Sequence, residues 1–155
     1  MTTLKEGQQA PNFAVKDTQG KILHLSDFKG KYVVLYFYPK DMTPGCTIEA
    51  IEFNKDLDGF KMRNAVVLGV SLDDETRHQK FTAKHDLSFP LLADTDAAVS
   101  KMYGVYGKKR FLGKSYMGIE RTTFIIDKKG VIAKIFNKVN PKNHSREVLQ
   151  TLDSH

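Results

Sequence analysis

Cys46 is the single cysteine in a chain of 155 residues, and its surroundings favour reactivity. Thr43 is a good N-cap, Pro44 suits the first helical position, and Cys46, Ala50, Phe53 and Leu57 recur at i, i+4, i+7 and i+11. A helix is therefore expected from about residue 44, with Cys46 in its first turn. Unpaired N–H groups and the positive end of the helix dipole favour a thiolate there over a thiol. The same stripe suits a small apolar residue on the helix's buried face. Spacing leaves both readings open.

Three further positions could act on that sulfur. The Thr43 hydroxyl can donate to a thiolate or an incoming oxygen, or simply cap the helix. Pro39 and Pro44 bracket and stiffen the loop, which would shield the thiol and fix its approach. Arg121 precedes the predicted strand Thr122-Thr123-Phe124-Ile125-Ile126 and brings a permanent cation with several directed donors. Such a group can hold a thiolate and a polarised oxygen together. Pairing with Glu120 or Glu49 on the surface is the alternative.

Other templates fail. A dithiol redox motif needs a second cysteine, and the glycine-rich dinucleotide and phosphate loops are absent. His78 and His85 lie seven apart on one predicted helix face without an evident third ligand, so a surface position is expected for them. None of the five histidines is marked as the base of a cysteine protease. No metal or cofactor is expected.

The elements that must position these residues alternate. Phe13-Ala14-Val15 and Ile22-Leu23-His24 flank the turn Asp17-Thr18-Gln19-Gly20 as a leading hairpin. The continuous apolar runs Tyr32 to Tyr38 and Ala65 to Val70 read as buried strands on either side of the Cys46 helix. A more polar helix is expected over about Asp74 to His85, and Phe89-Pro90 breaks the chain. A short helix opens at Asp94-Thr95-Asp96 and closes at Gly104. Thr122–Ile126 and Val131–Phe136 bracket the turn Asp127-Lys128-Lys129-Gly130, and a last helix covers about Ser145 to Leu152. A crossover helix between buried strands makes those strands parallel. The result is an α/β domain with a mixed central sheet flanked by helices, which is the plan of the thioredoxin fold with an N-terminal β-hairpin extension and an inserted segment.

Length fits one domain over residues 1–155. At 41% hydrophobic and 27% charged residues, the composition excludes a disordered or fibrous chain. No run is long enough for a membrane span, and the N-terminus lacks the apolar core of a signal peptide. A lone cysteine excludes an intrachain disulfide and points to the cytoplasm. The net charge of +6 is uneven, with 9 Lys/Arg against 11 Asp/Glu in residues 1–75 and 15 against 7 thereafter. Only Lys108-Lys109-Arg110 forms a cluster, and no aromatic-interleaved motif surrounds it, so neither nucleic acid nor a membrane is an expected partner.

The stretch Pro39-Lys40-Asp41-Met42-Thr43-Pro44-Gly45-Cys46 resembles the Pro-x-x-x-Thr-x-x-Cys motif of the peroxiredoxins. Tyr36-Phe37-Tyr38, Cys46-Thr47-Ile48-Glu49-Ala50, Phe89-Pro90-Leu91-Leu92-Ala93-Asp94 and Gly118-Ile119-Glu120-Arg121-Thr122-Thr123 extend the similarity towards the bacterioferritin comigratory protein subfamily. The resemblance implies a thiol peroxidase without metal or haem, serving antioxidant defence against hydrogen peroxide and organic hydroperoxides. Cys46 would be the peroxidatic nucleophile and leave as a sulfenic acid. Thr43 and Arg121 would bind the peroxide oxygens, Pro39 would shield the thiolate, and Glu49 would orient the arginine. Many members carry a resolving cysteine five residues after the first, where this chain has Ile51. An external thiol (thioredoxin, glutaredoxin or glutathione) would then resolve the sulfenic acid, in a monomer or weak homodimer. The rival reading is a chaperone-like or redox-sensing protein of the same fold with weak turnover.

Overall fold

The computed structural model describes residues 2–155. The chain starts with the antiparallel hairpin β1 (Ala14–Lys16) and β2 (Ile22–His24), turned by Gly20 at φ 79°. After a 3-10 turn come β3 (Tyr32–Phe37), α1 (Pro44–Lys55), α2 (Leu57–Met62), β4 (Ala65–Ser71) and α3 (Glu75–His85). Next are β5 (Leu91–Ala93), α4 (Ala98–Met102) and the hairpin β6 (Tyr106–Phe111) and β7 (Lys114–Ile119). The strands β8 (Thr122–Ile126) and β9 (Ile132–Phe136) and the helix α5 (His144–Asp153) complete it.

The central sheet has the order β5-β4-β3-β8-β9. β3, β4 and β5 run parallel, while β8 is antiparallel to both β3 and β9. Successive side chains of β3 point to opposite faces, and both faces are covered, which is why the run is apolar throughout. Val33, Leu35 and Phe37 pack with Phe13, Val15, Val99, Tyr103 and Phe124, beneath the β1–β2 hairpin and α4. Val34, Tyr36 and Tyr38 face the other way, into Cys46, Phe53, Phe60, Phe81 and Val148 from α1, α2, α3 and α5. Tyr36 stacks on Phe53 with ring centroids 4.6 Å apart. Truncating a ring such as Phe53, which is fully buried, costs about 3–5 kcal/mol.

Three elements differ from the sequence reading. Leu57 belongs to α2, because the helix carrying Cys46 ends at Lys55 and Asp56 separates the two. The three residues of β5, directly after Pro90, are too few for a periodic signal. The inserted segment is the β6–β7 hairpin, closed by Leu112 and Gly113 at φ 52° and 78°. Two positive φ values make a turn of the kind Asn-Gly usually announces, and leucine conceals it. No helix among the described residues is long and apolar enough to cross a membrane.

Candidate active site

The loop after β3 carries Pro39 and Thr43 into α1. Thr43 occupies the N-cap in extended geometry, φ −87° and ψ 153°, and Pro44 follows in the first turn. The hydroxyl does not cap the helix as expected; it donates to the Lys40 carbonyl at 2.8 Å. Cys46 therefore sits in the first turn of α1, 1% exposed, on the inner face with Ala50 and Phe53. The sulfur is buried in the core, as the stripe suggested, and it also faces a cation.

That cation is Arg121. Its Nη2 lies 3.4 Å from Cys46 Sγ, and its Nη1 donates to Glu49 Oε1 at 2.7 Å. The surface alternative does not hold, because Glu49 is buried and the Arg121 side chain is only 16% exposed. Burial works against the Arg121 charge, but its interactions with Glu49 and Cys46 more than offset it and raise its pKa. Glu49 is pushed up to about 7, because burial outweighs the guanidinium that lowers it. Glu49 Oε2 and the hydroxyl of Tyr36 are buried without a hydrogen-bond partner among the described residues. Burial, then the charges of Glu49 and Cys46, hold the Tyr36 hydroxyl well above the usual phenol range.

Sequence reasoning did not mark Gly45. A Cβ there would stand 3.2 Å from Arg121 Nη2 and 3.4 Å from Pro141 Cγ, so glycine lets the guanidinium lie against the helix start. Pro141 was also unmarked. The only cue for Gly45 was its place one residue before the cysteine.

His78 overturns an expectation. It is fully buried rather than at the surface, with Nδ1 2.6 Å from Asp41 Oδ2 and Nε2 2.9 Å from the Leu92 carbonyl oxygen. Its side of α3 also carries the buried Phe81, three residues on, which turns it against the sheet. His144 is buried too, between Thr123 and Glu147, and burial lowers its pKa.

A mixed sheet of this order, with one cysteine at a helix start beneath an arginine, agrees with what comparison finds. The chain belongs to the AhpC/TSA family, whose model matches residues 6–135. Peroxiredoxin Bcp of Bacillus subtilis (strain 168) is 49% identical over 150 residues, covering 97% of this chain and 96% of that protein. The crystal structure of a Xylella fastidiosa PrxQ mutant superposes with a TM-score of 0.95 at 36% identity, covering 100% of this chain and 99% of that one. A structure from a study of alkyl peroxide reduction by the Xanthomonas campestris bacterioferritin comigratory protein gives 0.91 at 35% identity, covering 97% and 99%. The protein is thus a thiol-dependent peroxidase, a one-cysteine peroxiredoxin of the bacterioferritin comigratory kind.

Proposed function

We propose that Cys46 is the group that meets the peroxide, and that the protein reduces both hydrogen peroxide and alkyl hydroperoxides. The observation that carries this reading is the Arg121 Nη2 contact, 3.4 Å from a buried sulfur in the first turn of α1. The thiolate attacks one peroxide oxygen, an S–O bond forms and the O–O bond breaks. Sulfur is oxidised to the sulfenic acid, and the departing hydroxide or alkoxide takes a proton to become water or alcohol. Arg121 steadies the charge that moves onto the departing oxygen. Thr43 turns its hydroxyl from Lys40 onto the peroxide, Pro39 keeps water from the sulfur, and Glu49 holds the arginine in place.

With no second cysteine, an external thiol condenses with the sulfenic acid and releases water. A second thiol then frees Cys46 and leaves as a disulfide. Thioredoxin is the first candidate, with glutaredoxin and glutathione behind it. Residues 1–155 work as one domain in the cytoplasm, as a monomer or weak homodimer, without nucleic acid or membrane. The test is peroxide consumption with each thiol donor alone, in wild type and Cys46→Ser. Turnover should fall to background in the variant with every donor; retention of most of it would remove Cys46 from its role.

A further inference from the structure

Behind the Cys46 loop lies a buried cluster that the chemistry above leaves unused. His78 Nε2 is 2.9 Å from the Leu92 carbonyl oxygen. A carbonyl only accepts, so Nε2 carries a hydrogen. One proton then remains for the 2.6 Å contact between Nδ1 and Asp41 Oδ2. It makes either an imidazolium against a carboxylate or an imidazole accepting from a carboxylic acid. The net charge of the pair is zero in both forms.

Asp41 has no free polar group on its side chain. Its Oδ1 accepts from the Tyr38 hydroxyl at 2.6 Å, and its backbone N–H donates to Asp73 Oδ2 at 2.7 Å. Asp73 Oδ2 also accepts from Ser71 Oγ, and Asp73 Oδ1 accepts from Arg77 Nε at 2.9 Å. Asp41, Asp73 and His78 bring potential ligand atoms within 4.8 Å of one another. Each carboxyl oxygen among them already has a hydrogen-bond partner, so a cation would have to displace these bonds. The cluster reads as a fastening. It ties the loop to β3, to the end of β4 and to α3.

What it fastens is the approach to the sulfur. Asp41 is two residues before Thr43 and five before Cys46. Between Asp41 and Thr43 stands Met42 at φ 65°, a left-handed conformation that L-residues disfavour, in a residue that is 42% exposed. A turn bent in that way needs an anchor, and the buried Asp41 is the anchor present.

We infer that His78 and Asp41 are positioning residues for peroxide reduction. Their one shared proton fastens the 39–43 turn to α3, and so sets where Thr43 and the start of α1 meet the peroxide. This rests on the roles proposed above for Cys46 and Thr43.

The shared proton makes a specific demand. In Asp41→Asn the amide N–H points at a neutral Nδ1 and the amide oxygen accepts from Tyr38, so the amide carries the proton permanently. The second-order rate of sulfenic acid formation at Cys46 with hydrogen peroxide, read by quenched mass spectrometry on the full chain, should stay within threefold of wild type. Asp41→Ala and His78→Ala should each lower it at least tenfold, while alkylation of Cys46 by iodoacetamide does not fall. Nitrogen NMR of wild type should find His78 protonated at Nε2. If neither alanine variant folds, the Asp41→Asn rate and the NMR assignment decide. Asp41→Asn falling tenfold, an alanine variant keeping the wild-type rate, alkylation falling in step with oxidation, or a bare Nε2 would each overturn the inference. The NMR result stands whatever Cys46→Ser does, so the two readings fail separately.

Discussion

Glu49 accepts a 2.7 Å hydrogen bond from Arg121, and its carboxyl is still pushed up to about 7 because burial outweighs the guanidinium. As pH falls through 7, Glu49 takes up a proton and loses the charge that holds Arg121 over Cys46. The peroxide rate should therefore show a step that rises with pH near 7, and Glu49→Gln should lack it. Stability follows with a definite sign. The folded-state value lies above the ordinary 4.5, so Glu49 costs nothing below pH 4.5 and costs progressively more up to about 7. The full cost is on the order of 3 kcal/mol. Urea midpoints should favour Glu49→Gln over wild type more at pH 8 than at pH 4.5. An equal difference at both values would contradict this.

Arg121 touches two partners with two different nitrogens. Lysine has the charge but not the fork. Arg121→Lys should slow oxidation of Cys46 by about 100-fold, the usual scale for losing one directed donor at a developing anion. Arg121→Ala should slow it at least as much. A lysine variant within threefold of wild type in a peroxide-concentration series would show that charge alone suffices.

Gly45→Ala places a methyl 3.2 Å from Arg121 Nη2. The guanidinium has to give way, although Glu49 and Cys46 hold it. Peroxide oxidation should slow about tenfold. Alanine is the better helix former by about 1 kcal/mol, so the melting temperature should not fall by more than a few degrees. Unchanged kinetics would mean that Arg121 can shift without consequence.

Ile51 is exposed on α1, five residues beyond Cys46. In an intact helix their Cα atoms lie about 8.7 Å apart. A disulfide spans no more than about 7 Å. Ile51→Cys should form an internal disulfide after one equivalent of peroxide, with loss of amide protection in the first turns of α1. Wild type should instead hold a sulfenic acid that an added thiol traps. A disulfide formed while α1 keeps full hydrogen-exchange protection would refute the unwinding.

The run that became β3 was legible because both of its faces are buried, which leaves no polar alternation to interpret. Cys46 at a helix start was legible from Thr43 and Pro44. The meeting of Cys46 with Arg121, 75 residues away, was not. No spacing encodes it; the β3–β8 pairing creates it, and in the sequence Arg121 was one of two open readings until family resemblance favoured the contact. His78 was hidden by its own helix, whose exposed Arg77, Gln79 and Lys80 make it look solvated. Phe81 on the same side was the one available hint. The charged β6–β7 hairpin was hidden by leucine in a position where asparagine is the usual signal.

Phe37, the last residue of β3, is paired with Thr122, the first of β8. The strand that leads to the Cys46 helix and the strand that follows Arg121 thus meet on the last of five paired rungs. A slip of one residue would exchange the side chains between two differently packed faces, and the two cores forbid it. A slip of two would keep the apolar alternation yet carry Arg121 about 7 Å along the sheet, out of reach of the sulfur. On the roles proposed for Cys46 and Arg121, turnover is therefore a gauge of strand alignment, and a chain slipped by two residues would lose activity while its side chains kept their faces.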